Sequence, residues 1–304
     1  MEGNRVYQDL QSISRKMLRC SVQRKPTMDL RDDLRAGLSK AGLGPISAEL
    51  GKVSRDCIRM RSTPRSDKAI SLSDSKLGGV PDLPSGLTWP EWKTGYLTFV
   101  AQANLAELPA SELLPNVGVL SFFYDREQSA WGFDPKHKEG FRLWYFPEVS
   151  QLVRAAEPEP SPLSCARLTF EPYLSLPDFS ADSVRDLVLN IENKEQYCDF
   201  VDKHAGPAPQ HQILGWPHVI QGDIALECQL VTNGLYTGNP SGYKDSRRKE
   251  LEPGAKDWTL LLQIDSDDNA EMMWGDAGML YVWIRRQDLA AKKFENAWTI
   301  LQCF

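Results

Sequence analysis

The chain is expected to fold as an α+β protein, with antiparallel-rich β-sheets packed by helices and an N-terminal helical extension. Three observations carry that expectation. Helical periodicity is confined to the N-terminal region and one middle stretch, short apolar runs broken by Gly, Pro and Asn fill the rest, and three segments recur in the same order. Of 304 residues, 41% are hydrophobic and 25% charged, the composition of a globular protein with room for one large domain or two small ones.

Residues 1–65 read as a basic helical extension. They hold 14 Lys and Arg against 7 Asp and Glu, whereas the remainder holds 21 against 34, so a leader of net +7 precedes a body of net −13. Val6, Leu10, Ile13 and Met17 trace a weak helical stripe. A stronger one follows in "TMDLRDDLRAGLSKAGLG", with Thr27 at an N-cap position and Asp29, Asp32 and Asp33 in the early turns. Leu30, Leu34, Leu38 and Ala41 share its apolar face, and Gly42 and Gly44 end it. No aromatic interleaving or reader motif accompanies the positive charge, so nucleic-acid binding is not expected.

From about Ser71 the texture changes. "YLTFVAQANL", "VGVLSFFYD" and "FRLWYFPEV" are strand-like, and "AAEPEPSPLS" (Ala155–Ser164) is too rich in proline to be anything but a connector. "ADSVRDLVLNIENKEQYCDFVDKHAG" returns to helical period through Val184, Leu187, Val188, Ile191 and Val201, and stops at Gly206 and Pro207. Strand-like runs then resume, interrupted by the charged loop "YKDSRRKELEPGAKD".

The order of helices, strands, connector, helix and strands suggests a domain over 66–304 made of two repeats, about 66–154 and 206–304. "SKLGGVP" aligns with "HQILGWP", "LTFVAQAN" with "WTLLLQID", and "PNVGVLSFFY" with "GDAGMLYVWI". These equate Gly79 with Gly215, Gln102 with Gln263, Asn104 with Asp265 and Gly118 with Gly278. The Gln-to-Gly spacing is 16 in one repeat and 15 in the other, while the preceding Gly-to-Gln spacings are 23 and 48, so the second repeat carries about 25 extra residues. An amide among apolar neighbours must find partners. Gln102 and Gln263 are therefore either staples on loop backbone or groups facing a cleft between the repeats.

"LLQIDSDDNAEMMWGDAGMLYVWI" places Asp265, Asp267, Asn269, Glu271 and Asp276 at calcium-loop spacing. The template fails where it matters: Ala270 replaces the turn glycine, Asp276 replaces the bidentate glutamate, and strands rather than helices flank it. The first-repeat counterpart has no acidic ladder. Cys198, His204, His211, His218 and Cys228 are zinc-type ligands, but their spacings exceed those of structural zinc sites. No metal is expected.

The repeated segments, with "SKLGGVPDLPSGLTWP", "LPNVGVLSFFYD", "YLSLPD" and "HQILGWPHVIQGDI", resemble the YwqG-like family, a group of cytosolic proteins described as a domain of unknown function. The resemblance spans about Arg59 to Phe304. It implies an α+β fold and carries no established activity and no catalytic residues.

No G-x-S-x-G, Walker loop or G-x-G-x-x-G occurs, so neither a serine nucleophile nor a phosphate-cradling loop is supported, and no cofactor is expected. Six scattered cysteines without short pairings read as reduced thiols of a cytoplasmic protein; no segment is a signal peptide or membrane span. Nine tryptophans are either core plugs or groove walls. The function expected is a non-enzymatic binding or protein-interaction module with a protein partner or an unidentified small ligand. The alternative is a small-molecule hydrolase using His211, Asp265 or Asp276 as acid and base. If a ligand binds, Gln102, Asn104, His211, Trp216, Gln263, Asp265 and Asp276 are expected to line one pocket between the repeats, with Asp265 its main charge.

Overall fold

The computed structural model describes residues 27–93, 95–189 and 194–304. The weak stripe through Val6 and Met17 lies outside them. Two helices open the described chain, α1 (Thr27–Leu38) and α2 (Ser47–Val53), joined through a π-helical turn at Ser39–Leu43. Gly42 stands at φ 83° inside that turn, a left-handed conformation that breaks helical continuity and suits glycine.

The next segment corrects the helical reading of residues 1–65. Arg55–Pro64 forms a ten-residue strand, β1. Its sequence, "RDCIRMRSTP", alternates Cys57 and Arg59 with apolar Ile58 and Met60, a pattern diluted by arginines whose charged ends lie on aromatic rings and a carboxylate. The strands that follow are β2 (Lys76–Leu77), β3 (Asp82–Pro84), β4 (Glu91–Trp92), β5 (Gly95–Tyr96), β6 (Thr98–Asn104), β7 (Val119–Tyr124), β8 (Phe141–Phe146), β9 (Leu152–Arg154) and β10 (Ala166–Ser175). The middle helical stretch comprises α3 (Asp182–Leu189) and α4 (Lys194–Ala205). Then come β11 (Gln212–Leu214), α5 (Ile224–Val231), β12 (Trp258–Asp265), β13 (Met279–Arg285) and β14 (Trp298–Gln302).

Ten strands join in one antiparallel sheet in the order β14-β13-β12-β11-β1-β10-β2-β6-β7-β8. β1 and β10 pair over ten residues at its middle, from Arg55 with Ser175 to Pro64 with Ala166. On one flank β2 pairs β6 with Lys76 opposite Gln102; on the other β11 pairs β12 with Gln212 opposite Gln263. Each long strand bulges at a corresponding place, between Phe99 and Ala101 and between Leu260 and Leu262. A bulge bends its strand and adds twist, and two of them curl the sheet into a nearly closed barrel.

The two free edges are brought together by side chains and a loop rather than by a ladder. Phe141 of β8 meets Trp298 of β14 edge to face at 5.3 Å, and the Leu301 N–H donates to the Trp131 carbonyl at 3.0 Å. β7 and β12 are buried along their whole length, and β6 up to its last residue, Asn104, because the barrel interior covers one face and outer elements the other. A second apolar cluster seats α1 to α4 on the sheet, with Leu34, Leu38, Leu50, Val184 and Tyr197 packed around Leu174, near the end of the β1–β10 pair, and Leu176 just past it. Among the described residues no helix is long and apolar enough to cross a membrane.

Candidate functional site

The seven residues singled out in the sequence do not share a pocket. Gln102 is fully buried; its Nε2 donates to the Asp74 carbonyl at 2.7 Å and to Asp82 Oδ2 at 2.7 Å, and its Oε1 accepts the Asp82 N–H at 2.9 Å. Gln263 is equally buried; its Nε2 donates to the Gln210 carbonyl at 2.6 Å and its Oε1 accepts the His218 N–H at 2.9 Å. Each amide is therefore enclosed by loop backbone on its own flank of the sheet, and the expectation of one shared, polar cleft is corrected. The space between the flanks, walled by Ala101, Ala103, Leu120 and Phe122 on one side and Ile213, Leu261 and Leu262 on the other, is an apolar void of about 20 Å³. Leu261 and Leu262 of β12, with Leu120 and Phe122 of β7, close in on it over the small Ala101 and Ala103 of β6, as close packing of a small barrel requires.

Asn104 caps a short 3-10 turn by accepting the Ala106 N–H at 3.0 Å. Asp276 is exposed on a separate turn, where its carbonyl accepts the Phe304 N–H. His211, Gln263 and Asp265 do come together. The Asp265 N–H donates to His211 Nδ1 at 3.0 Å, which leaves the proton on Nε2 to donate to Asp267 Oδ2 at 2.9 Å. His211 is 1% exposed and both ring nitrogens are engaged, so it cannot reach a substrate. Asp265 accepts the Gln210 N–H at 2.7 Å.

The two carboxyls titrate in opposite directions. Burial pushes Asp265 above the usual carboxylate range. Burial acts on Asp267 the same way, but hydrogen bonds from His211, Ser62 and the Asn269 N–H outweigh it and hold it below that range. A depressed carboxyl stabilises the fold above its unfolded pKa of about 3.9 and loses that contribution as pH falls through the folded value. A raised one has the opposite sign, and stability declines as pH rises through the folded value. Asp267→Asn is thus expected to lose stability at neutral pH and to flatten the acid limb of a urea-midpoint profile. Asp265→Asn keeps an acceptor for Gln210 and is expected to be unchanged or more stable at neutral pH. A steeper acid limb in Asp267→Asn would contradict this.

The acidic ladder is dispersed among separate partners, with Asp267 on His211, Asp265 on Gln210, and Glu271 on Ser164. Among the described residues no three of His, Cys, Asp and Glu come together as metal ligands. Cys165 lies 3.5 Å from Asp67, and burial and that carboxylate push its thiol up to about 12, so it is no nucleophile near neutrality.

Besides a pocket of about 270 Å³ formed within the loop from Leu105 to Asn116, two concave places stand out among the described residues. The larger is a groove of about 540 Å³ beside the β3–β9 pair, walled by Leu83 to Trp89, by Glu91 and Tyr96, and by Val153 to Pro158. Leu87 and Val153 are 40% and 46% exposed there. Trp89 is anchored by its Nε1, which donates to the Leu97 carbonyl at 2.8 Å, and by edge-to-face packing on Phe123. Arg154 is already spent, with its guanidinium on Asp82 at 2.7 Å and on Asp67 at 2.9 Å. In the sequence these residues stand out only as a family-like segment, a strand start and a proline-rich connector, not as a site; a Leu between Gly86 and Trp89 is the available signal. The smaller place, about 130 Å³, is a polar cleft lined by Tyr173, Asp178, Asp202, His204, Gln210, Gln212, Trp216 and His218, among others. It contains one residue foreseen for a site, Trp216. That side chain is held by its Nε1 donating to the Val53 carbonyl at 2.8 Å and by Arg55 stacked 3.3 Å from its ring.

The sheet of both flanks, the groove and the cleft fall almost entirely within one family match, to a domain of unknown function (DUF1963) over residues 75–303. The chain belongs to the DUF1963 family. Within the DUF1963 domain lie β2 to β14, while α1, α2 and β1 precede the match yet contribute the central strand and a helical wall. A comparison with curated proteins found no match.

Proposed function

We propose that this DUF1963 protein is a non-enzymatic binding module, YwqG-like within its family, whose groove takes an extended peptide segment with a lysine or arginine flanked by apolar residues. The groove carries the reading. Its volume falls in the range of ligand sites, about 300–1,000 Å³, and it combines exposed apolar side chains with rigid aromatic walls. Its charge is uncompensated, since Glu91 and Glu157 have no ion-pair partner among the described residues and Arg154 is consumed by Asp67 and Asp82. A basic residue complements that balance, and an extended segment fits a trough running beside a strand pair. The hydrolase alternative has no comparable support, because His211 is sealed and Asp265 is tied to backbone. The five cysteines among the described residues are free thiols, which favours a reducing, cytoplasmic setting.

We also propose that the domain arose by internal duplication. Support comes from hydrogen bonds that recur at aligned positions. Gln102 and Gln263 accept from Asp82 and His218, and the N–H groups of Asn104 and Asp265 donate to Ser75 and His211.

The test is fluorescence polarisation with labelled short peptides of basic-apolar, acidic-apolar and scrambled composition. The basic-apolar set is expected to bind. Leu87→Lys and Val153→Lys, both surface changes, are expected to weaken it at least about tenfold, or about 1.4 kcal/mol. Equal binding by acidic peptides, or by both variants, would sink the proposal.

A further inference from the structure

The small polar cleft sits where the other flank of the sheet is plugged by its own cations. On the first flank, the Val80 N–H donates to Asp67 Oδ2 at 2.8 Å, and Lys76 Nζ donates to the Val80 carbonyl and to Asp67 at 2.9 Å. On the second, the Trp216 N–H donates to Ser175 Oγ at 2.7 Å, and Gln212 Nε2 donates to the Trp216 carbonyl at 2.7 Å. Gly79 and Gly215 precede these residues at φ 67° and 81°, and a Cβ on either would strike Asp67 and Cys165, or Ser175 and Cys57. Position by position, Lys76 therefore corresponds to Gln212, Asp67 to Ser175 and Asp82 to His218. The first flank then adds Arg154 across Asp67 and Asp82. Arg154 is supplied by β9, which follows β8 in the chain. Among the described residues no cation bridges Ser175 and His218 as Arg154 bridges Asp67 and Asp82, and a cleft of about 130 Å³ lies there instead.

We infer that this cleft binds a small primary ammonium or guanidinium head group, the chemistry that Lys76 and Arg154 supply internally on the other flank. The atoms it offers are acceptors. Gln212 is more than nine-tenths buried and spends both Nε2 hydrogens on the Leu214 and Trp216 carbonyls, leaving Oε1. His204 donates Nε2–H to the Leu174 carbonyl at 2.7 Å, which leaves Nδ1 as an acceptor, and burial keeps its pKa below the ordinary histidine value. Asp178 and the exposed Asp202 add negative charge at the rim. Of the nearby cations, Arg59 lies 3.6 Å from Glu171, which it shares with Arg61 at 3.0 Å, and Arg55 is stacked on Trp216. At ~30 Å³ per water the cleft has room for about four waters, enough for such a head group and little more.

The probes are methylammonium and guanidinium at low millimolar concentration, with sodium and inorganic phosphate as controls, read by tryptophan fluorescence and by histidine ring NMR shifts. Either cation is expected to saturate where sodium and phosphate do not. Gln212→Lys returns the first flank's own ammonium to the cleft and is expected to abolish the response, while leaving peptide binding in the groove unchanged. Should that variant fail to fold, the exposed Asp202→Asn is expected to weaken the cation several-fold. Phosphate saturating instead, no saturation by either cation, or an undiminished response in a folded Gln212→Lys or in Asp202→Asn would overturn the inference.

Discussion

Asp82→Ala is expected to destabilise the protein by about 3–5 kcal/mol, the cost of breaking a buried ion pair from one side. Asp82 is fully buried and accepts from three donors: the Ser73 N–H at 2.8 Å, Gln102 Nε2 at 2.7 Å and Arg154 Nε at 2.7 Å. Truncation orphans all three and leaves the Arg154 guanidinium with Asp67 as its sole carboxylate. Equilibrium urea unfolding measures this directly. A double variant, Asp82→Ala with Arg154→Met, is expected to recover part of the loss, because it removes the stranded charge along with its partner. A loss under about 1 kcal/mol in the single variant would mean that the network contributes no more than surface pairs do.

The second large effect belongs to the buried glutamines. Gln102→Leu preserves size and apolar packing but strands the Asp82 N–H and the Asp74 carbonyl, and one Asp82 oxygen loses a donor. At roughly 1–3 kcal/mol for each unsatisfied buried group, the expected loss is about 2–4 kcal/mol. Gln263→Leu strands the His218 N–H and the Gln210 carbonyl without affecting a carboxylate, so its loss is expected to be the smaller of the two. Unfolding midpoints of the two variants in parallel decide the matter. Larger damage from Gln263→Leu would show that the Asp82 contact adds nothing. Both variants should retain the groove, since neither glutamine lines it.

Much of the architecture could be read from residue order. The helical stripe of Leu30, Leu34 and Leu38 marks α1, the proline-rich run from Ala155 marks a connector, and the aligned Gln, Asn/Asp and Gly residues mark the strand pairs of each flank. β1 escaped notice because arginines at 55, 59 and 61 mask its alternation, and their ends reach aromatic rings and carboxylates supplied by distant parts of the chain. The helical period of the middle stretch marks α3 and α4, while Ile191, which belongs to that period, lies outside the described residues.

The site was less legible, for a physical reason. Sequence shows which side chains must find partners; it does not show whether those partners are solvent, ligand or backbone. The amides of Gln102 and Gln263 and the imidazole of His211 are chemically suited to a binding site, and the fold spends each of them on its own loops. The groove is made by Leu87, Tyr96 and Val153, residues ordinary in sequence, which become a surface only when β3 pairs β9 across some seventy positions of chain. What the amino-acid sequence determined by itself was the local part: helical faces, strand runs, the glycine turns at 79 and 215, and the absence of nucleophile and metal motifs. Only the tertiary structure decided that the two flanks close on an apolar core instead of a cleft, and that one flank is locked by Lys76 and Arg154 while the other is open. Burial and pairing are properties of what surrounds a residue, and those surroundings are assembled by antiparallel registers between segments far apart in the chain.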